Sequence, residues 1–190
     1  STKWISGGAT SVGGLIIDNG TFDWGRAPVL RNDVARFGPG TFLARLRHDV
    51  CRHLGGCLAP HHAYLKTIGL ETLALRVEKS CANSLAVARF LESRADVRRV
   101  HYPGLESSPS HAAARRQFNG RFGALLTFDL ESKEKCFEFM DGLKVIRRAT
   151  NLNDNKTLII HPASTIFADY SPRERAAMKV GDEMIRLAVG

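Results

Sequence analysis

The feature that most constrains the fold is a long amphipathic stretch from about Ala59 to Arg94. Its apolar residues recur at steps of three and four positions, which is the pattern of one buried helix face. They are Leu70, Leu73, Val77, Cys81, Leu85, Ala88 and Leu91. A straight helix of that length would span roughly 50 Å, which is longer than a small domain is wide. The stretch therefore predicts a helix that links two domains, with Gly69 marking a bend or a break in it.

Length and composition describe a globular chain. The 190 residues are 44% hydrophobic and 24% charged, close to the globular average, and the length predicts one domain or one and a half. The sequence has no apolar run of the roughly 20 residues that cross a bilayer, and no signal peptide opens it. The first residue is not methionine and residues 184–190 have the composition of a strand, so we expect a fragment of a longer, soluble protein.

Charge and cysteines exclude two classes of site. The formal net charge of +8 is spread along the chain with no interleaved aromatic residues, which does not predict a nucleic-acid partner. The four cysteines form no CxxC pair, so neither a metal site nor a redox dithiol is indicated. We expect Cys81 and Cys136 to act as small hydrophobes on helix faces. Reduced thiols favour a cytoplasmic protein.

The first part of the chain predicts one strand, one loop and one helix. The run Leu-Ile-Ile at residues 15–17, closed by the turn Asp-Asn-Gly, predicts a buried strand. Residues 26–40 are rich in proline and glycine and predict a loop. Residues 41–54 predict a helix that ends at the pair Gly55-Gly56.

The second half alternates short strands with helices. Strands are predicted at residues 97–102, 123–130, 145–146, 158–160 and 185–189. Helices are predicted from the pair Ser108-Pro109, along an apolar face that includes Cys136 and Met140, and from the capping box Ser171-Pro172-Arg173-Glu174 to near Gly181. This mixture predicts an antiparallel or mixed sheet with helices on one face.

Two charged side chains are candidates for chemistry. Lys3 precedes a glycine-rich turn and an apolar run, where desolvation favours a neutral amine that can form a Schiff base with an aldehyde cofactor. The hydroxyls of Ser1 and Thr2 can bind an anion such as phosphate. Arg186 lies within an apolar strand, where a buried guanidinium needs a carboxylate or a phosphate. An ordinary lysine and a structural ion pair are the alternatives.

Three polar stretches remain open at this point. The turn at residues 151–157 either lines a site or only connects two strands. His161 is either catalytic or, as we favour, a hydrogen-bonded structural residue. The pair His61-His62 lacks a third metal ligand at useful spacing and is interpreted as helix surface.

Five motifs are distributed along the chain. They are STKWISGG (1–8) with TSVGG (10–14), GLETL (69–73) followed by LR (75–76), VHYPGL (100–105), FGA (122–124) and MIRLAVG (184–190). In this order they resemble the cysteine/methionine-metabolism family of pyridoxal-phosphate enzymes, over essentially the whole chain. DNKTLIIHPAST (154–165) and FDW (22–24) are most similar to the O-acetylhomoserine sulfhydrylase branch.

The resemblance implies roles for four residues. Lys3 matches the lysine that forms the Schiff base with pyridoxal 5'-phosphate and then moves protons between substrate carbons. Thr2 matches a hydroxyl that binds the cofactor phosphate. Arg186 matches the arginine that binds the substrate α-carboxylate, and Thr157 matches the Ser/Thr position whose backbone helps to hold it. The resemblance implies no metal ligand.

The resemblance also implies an architecture and a reaction. The fold class is α/β, of the aspartate-aminotransferase type (fold type I). Residues 1–66 would complete the large cofactor domain, residues 67–95 would be the linking helix, and residues 96–190 would be a small α+β domain with a mostly antiparallel sheet. The implied reaction replaces the γ-acetoxy group of O-acetylhomoserine by sulfide or a thiol, giving homocysteine or methionine. Cystathionine γ-synthase, cystathionine γ-lyase and methionine γ-lyase are the alternatives within the family.

The chain also departs from the family pattern. Many members have Gly-Gly-His-Gly after the lysine, whereas this chain has SGGA at residues 6–9. Family members are about twice as long and build each active site across a dimer. We therefore expect a homo-oligomer, dimer or tetramer, with a shared site for a small amino-acid substrate, no nucleic-acid or membrane partner, and no activity in the 190 residues alone. A basic α+β binding module without catalysis is the alternative from another class.

Overall fold

A five-stranded mixed sheet organises the second half of the computed structural model, which describes residues 2–190. Its strands are β1 (Arg99–His101), β2 (Leu125–Asp129), β3 (Arg147–Arg148), β4 (Leu158–Ile160) and β5 (Met184–Ala188). They are arranged in the order β1-β2-β5-β4-β3, and only β3 and β4 run parallel. The expected mostly antiparallel sheet is confirmed, with β5 at its centre.

Helices and helical turns make up most of the remaining regular structure. The α-helices are α1 (Val34–Phe37), α2 (Thr41–Arg45), α3 (Arg52–Leu54), α4 (Pro60–Glu71), α5 (Leu73–Glu92), α6 (His111–Phe118), α7 (Lys133–Asp141) and α8 (Pro172–Ala177). A π-helical segment, Leu46–Cys51, joins α2 to α3. The predicted helix over 41–54 is thus confirmed, and it ends at Gly55, whose φ of +66° suits glycine. No helix within residues 2–190 combines the length and the apolar composition of a membrane span.

One face of the sheet carries the core, because strand residues alternate between faces. Ile185 and Leu187 of β5 join Phe128 of β2 in a buried apolar cluster. The helices α5 and α7 add Ala88 and Cys136 to it, both fully buried. Because of the same alternation, the side chain of Arg186, between Ile185 and Leu187, lies on the opposite face of the sheet.

Cys136 behaves as the small hydrophobe that the sequence predicts. Its side chain has no exposed surface, and its Sγ donates a hydrogen bond to the Glu183 carbonyl oxygen at 3.0 Å. Burial raises the pKa of the Cys136 thiol to about 11, which keeps it protonated and unreactive at neutral pH.

The long amphipathic stretch is helical but divides at Thr72 rather than at Gly69. The chain leaves helical geometry at Thr72, with φ −107° and ψ 3°, so that α4 ends and α5 begins. Arg76 stabilises this break: its Nε donates to Thr72 Oγ1 at 3.0 Å and its Nη2 donates to the Gly69 carbonyl oxygen at 2.7 Å. Arg76 thus satisfies the Gly69 carbonyl oxygen near the end of α4 and the hydroxyl of the residue at which the helix breaks.

Residues 15–17 correct the sequence-based expectation of a buried strand. Leu15, Ile16 and Ile17 are 68%, 60% and 86% exposed, and the segment lies outside any sheet. A strand needs a neighbour for its N–H and C=O groups. No other segment of residues 2–190 lies in register beside this one.

Residues 26–40 were expected to be a loop and instead form short helical turns. Single 3₁₀ turns occur at Trp24–Arg26, Arg31–Asp33 and Gly38–Gly40, and α1 lies between the last two. The first is capped by Asp23, whose Oδ1 accepts a hydrogen bond from Gly25 N at 3.0 Å. Proline and glycine interrupt long helices but are compatible with single turns.

Three boundaries in the second half also differ from expectation. The helix expected from Ser108-Pro109 begins at His111, because Ser108 closes a preceding turn in which its Oγ accepts from Ser110 N at 3.3 Å. The strand expected at residues 145–146 is displaced to β3, and Val145 is 89% exposed. The helix that follows the capping box ends at Ala177, before Gly181.

Candidate active site

Lys3 lies in a tight turn that is closed by its neighbour Thr2. Thr2 Oγ1 accepts a hydrogen bond from Gly13 N at 3.0 Å and donates one to the Gly13 carbonyl oxygen at 3.1 Å. Residues 2–13 therefore form a closed loop with Lys3 near its start. Ser1, whose hydroxyl the sequence places beside Lys3, lies outside the described residues.

The helix α4 and the start of α5 contact the residues that follow Lys3 in this turn. A Cβ atom at Gly69 would clash with the backbone carbonyl oxygen of Ile5, so only glycine allows α4 to lie this close. Arg76 Nη1 donates to the Trp4 carbonyl oxygen at 2.8 Å. The motif GLETL followed by LR thus holds the backbone of Trp4 and Ile5, which directly follow Lys3.

A buried lysine that the sequence analysis did not single out packs against the same loop. Lys66 is 6% exposed, and its Nζ donates to the Ser11 carbonyl oxygen at 3.1 Å. Its Cε lies against the backbone of Gly13. Its position on a helix of low amphipathicity gave no signal of burial, because lysine is ordinarily exposed.

Arg186 is buried at the centre of the sheet, as the sequence predicts. It is 9% exposed and is paired in register with Thr127 on one side and Ile160 on the other. Its Nη2 donates to the carbonyl oxygens of Thr150, at 2.9 Å, and Asn151, at 3.3 Å. Burial lowers the pKa of the guanidinium, and within residues 2–190 no carboxylate is paired with it.

The Nε atom of Arg186 is buried and has no hydrogen-bond partner among the described residues. A buried N–H donor without an acceptor is costly, and a guanidinium edge suits a planar carboxylate. The side chain therefore fits the carboxylate-binding role that the resemblance implies for it.

Lys3 and Arg186, which are far apart in sequence, meet at Asn151. Lys3 Nζ donates to the side-chain oxygen of Asn151, while Arg186 Nη2 donates to the main-chain oxygen of the same residue. The sequence analysis missed Asn151 as an individual residue. The available signal was its place at the start of the polar turn 151–157, one of whose two open interpretations was a site.

Thr157 lies at the other end of the polar turn 151–157, immediately before β4. Its Oγ1 accepts a hydrogen bond from Gly190 N at 3.2 Å, beyond the end of β5. Asn151, rather than Thr157, is the residue of the turn that contacts both Lys3 and Arg186. The backbone role expected for Thr157 stays a prediction.

The histidines follow the structural interpretations. His161 is 2% exposed, its Nδ1 lies 2.8 Å from Ser164 Oγ and its Nε2 lies 2.7 Å from the Asp182 carbonyl oxygen, so both ring nitrogens are engaged in holding a turn. His61 and His62 lie at the start of α4. Within residues 2–190 no three His, Cys, Asp or Glu side chains are grouped as a metal site.

The donor set fits an aldehyde cofactor that bears a phosphate, with one adjustment. Lys3 presents a primary amine in a half-buried turn, and its partner Asn151 also accepts from Arg186, whose Nε is buried without a partner among the described residues. The hydroxyl proton of Thr2 is used within the chain, on the Gly13 carbonyl oxygen. The Thr2 hydroxyl can donate to a phosphate only if it gives up its hydrogen bond to the Gly13 carbonyl oxygen. The Lys3 amine can react with an aldehyde once it leaves Asn151.

Comparisons with known proteins show which family the whole chain resembles. The model of the family described as Cys/Met metabolism PLP-dependent enzymes matches residues 1–190. The O-acetyl-L-homoserine sulfhydrylase 1 of Thermus thermophilus is 39% identical over 201 residues, covering 100% of this chain and 48% of that protein. The chain spans about half the length of the curated relatives it matches.

Two solved structures share the fold over nearly the whole chain. The O-acetylhomoserine sulfhydrylase of Wolinella succinogenes has a TM-score of 0.74 at 45% identity, covering 92% of this chain and 46% of that one. A Campylobacter jejuni structure, named for an O-acetylhomoserine (thiol)-lyase with a pyridoxyl-lysine phosphate, has a TM-score of 0.80 at 31% identity and covers 100% and 48%. The chain therefore belongs to the Cys/Met metabolism family of enzymes that depend on pyridoxal phosphate.

Proposed function

We propose that this chain contributes catalytic and substrate-binding residues to a sulfhydrylase that replaces the γ-acetoxy group of O-acetylhomoserine by sulfide or a thiol. The observation that carries the proposal is the meeting of Lys3 and Arg186 at Asn151. It brings an amine for the cofactor next to a guanidinium for a carboxylate. The names of the relatives, which are sulfhydrylases, support the choice of reaction.

Each residue of the proposed site acts through an atom that the structure locates. Arg186 binds the substrate α-carboxylate through its buried, unpartnered Nε edge. Pyridoxal phosphate, when bound, supplies an aldehyde for amines and a ring that withdraws electrons from neighbouring carbons. Lys3 Nζ is the amine that would hold the cofactor aldehyde, and the same amine would carry protons to and from the substrate.

Asn151 links these two functions. Its side-chain oxygen accepts from Lys3 Nζ and its main-chain oxygen accepts from Arg186. A single residue thus sets the distance between the proton carrier and the carboxylate anchor. We propose Thr2 as the hydroxyl that binds the cofactor phosphate, Thr157 as a backbone support of the carboxylate, and a homo-oligomer in the cytoplasm as the working assembly.

The cofactor assignment is tested by borohydride reduction in the presence of pyridoxal phosphate, followed by peptide mapping. We expect the reduced group on Lys3, and we expect its loss in Lys3→Ala. Lys144→Ala, at an exposed lysine, is the matched control and should retain the label. Reduction at any other lysine would reject the role of Lys3.

The reaction is tested on the full-length protein with O-acetylhomoserine plus sulfide, and separately with cystathionine or methionine alone. Homocysteine from the first pair supports the proposal. Turnover only with cystathionine or methionine would assign a γ-lyase or a γ-synthase instead. The same assay on the 190 residues alone tests the prediction that they are inactive.

A further inference from the structure

The turn that carries Asn151 contains a second buried polar residue, Asp154. Asp154 is 9% exposed, and its Oδ2 accepts a hydrogen bond from Asn151 Nδ2 at 3.1 Å. Its Oδ1 accepts from Lys156 Nζ at 3.2 Å, which offsets part of its charge. Asn153, between the two, adopts a left-handed conformation with φ +51°, and this reversal brings Asp154 back onto Asn151.

The side chain of Asn151 has two ends of the same size and opposite hydrogen-bonding character. Its oxygen only accepts and its nitrogen only donates. Lys3 Nζ only donates, so the oxygen must face Lys3. A carboxylate only accepts, so the nitrogen must face Asp154. The two neighbours therefore select the same orientation of the amide, and the opposite orientation would leave two mismatched pairs in a half-buried site.

We propose that Asp154 is a positioning residue, which orients the Asn151 amide so that its oxygen faces Lys3. Asp154 does not itself contact Lys3, Arg186 or the reacting atoms. It acts by holding the hydrogen-bond acceptor that places the Lys3 amine. The inference deepens the proposed function, because the orientation matters to the reaction only if Lys3 is the amine that holds the cofactor.

The change Asp154→Asn removes one of the two neighbours that select the orientation, without changing the size of the side chain. An amide at position 154 presents a donor and an acceptor, so either orientation of Asn151 finds a partner there. In molecules whose Asn151 nitrogen then faces Lys3, the Lys3 amine lacks its acceptor. That amine should react faster with an acylating reagent, because the hydrogen bond that holds its proton is lost.

The rate of trace acetylation at neutral pH is measured in the full chain, without cofactor, by mass spectrometry of the Lys3 peptide. We expect Asp154→Asn to raise this rate by roughly threefold or more. In an Asn151→Ala background the same substitution should give at most about a third of that change, because the path through Asn151 is absent. Asp141→Asn, at an exposed acid paired with Arg148, is the matched control and should leave the rate unchanged.

Two outcomes would overturn the inference. An unchanged acetylation rate in Asp154→Asn would show that Asp154 does not influence Lys3. An equal change of rate with and without Asn151 would show a direct effect of charge, with no part for the amide. Far-UV circular dichroism checks that each variant is folded.

A second measurement needs no variant. Exchange of the Asn151 side-chain amide protons with solvent, followed by NMR in the wild-type chain, should be slowed by the bond to Asp154. Exchange at the rate of a free amide would contradict the inference even if Asp154→Asn fails to fold. Borohydride mapping to a different lysine, with the acetylation results intact, would reject the proposed function of Lys3 and leave the orientation of Asn151 standing.

Discussion

The burial and the hydrogen bonds of Arg186 indicate its role. Its guanidinium is buried in the central strand and is bonded to two main-chain oxygens, and its Nε has no hydrogen-bond partner in the part of the chain that the structure describes. A residue kept only for an ion pair would have a carboxylate beside it, and among residues 2–190 none is paired with it. The geometry is that of an anchor for an external carboxylate.

Replacing Arg186 by lysine keeps the charge but removes the planar edge. In the full-length protein we expect Arg186→Lys to raise KM for O-acetylhomoserine by roughly tenfold or more, since a charged hydrogen bond contributes about 1.5–3 kcal/mol. Steady-state kinetics measures the change. Arg147→Lys, at an exposed arginine of β3, is the control, and equal KM values for the two variants would argue against the anchor.

Gly69 controls how closely α4 approaches the Lys3 turn. We expect Gly69→Ala to lower the free energy of unfolding by roughly 1–3 kcal/mol, because the new methyl group meets the Ile5 carbonyl oxygen. Urea denaturation measures the loss. Gly56→Ala, at a position with open space around it, should change stability by less than about 0.5 kcal/mol. Equal values for both variants would mean that the contact between α4 and the turn is not tight.

At the scale of elements, the helix ends differ in how they are held. The N-terminus of α8 has a full capping box: Glu174 N donates to Ser171 Oγ at 3.3 Å and Ser171 N donates to Glu174 Oε2 at 2.8 Å. The N-cap residue of α6 is Ser110, and its side chain makes no capping hydrogen bond. The same residue type thus has a capping role in one helix and none in the other.

This contrast predicts different costs for the same substitution. Ser171→Ala should lower the free energy of unfolding by about 1 kcal/mol, through loss of the bond to Glu174 N. Ser110→Ala should cost much less, because no cap is lost. Chemical denaturation of both variants measures the difference, and a larger loss at Ser110 would contradict the capping assignment.

At the scale of the whole molecule, the core is unevenly distributed along the chain. The buried apolar cluster is drawn from residues 88–189, whereas the long apolar side chains of residues 15–17 are exposed. We propose the division expected from the sequence, with residues 1–66 belonging to a larger domain, residues 67–95 linking, and residues 96–190 forming the small domain.

Hydrogen exchange of the full chain tests that distribution of stability. Amides of β2 and β5 should exchange slowest, because both strands are paired on two sides and cover the core. Amides of residues 15–17 should exchange fastest among the apolar segments, since they have no paired neighbour. Mass spectrometry of the exchanging peptides reports both, and strong protection of residues 15–17 would mean that the strand expected there does form.

Much of the second half follows from local patterns in the sequence. Alternation in β5, the capping box before α8 and the apolar face of α7 each depend on residues that are close together in the chain. The sequence-based predictions of secondary structure are wrong where an element depends on a residue that is distant in the chain. Residues 15–17 have the composition of a strand but no paired neighbour, and the break at Thr72 depends on Arg76 and on the packing of Gly69 against Ile5.

Residue types and their short spacings are enough to predict the family resemblance, the two charged candidates Lys3 and Arg186, and most strands and helices of the second half. That both candidates meet at Asn151, and that Asp154 holds its amide, becomes visible in the folded chain alone. The reason is that hydrogen bonds between residues 3, 151 and 186 join segments that no local pattern relates, and only the folded sheet and its loops bring them within reach.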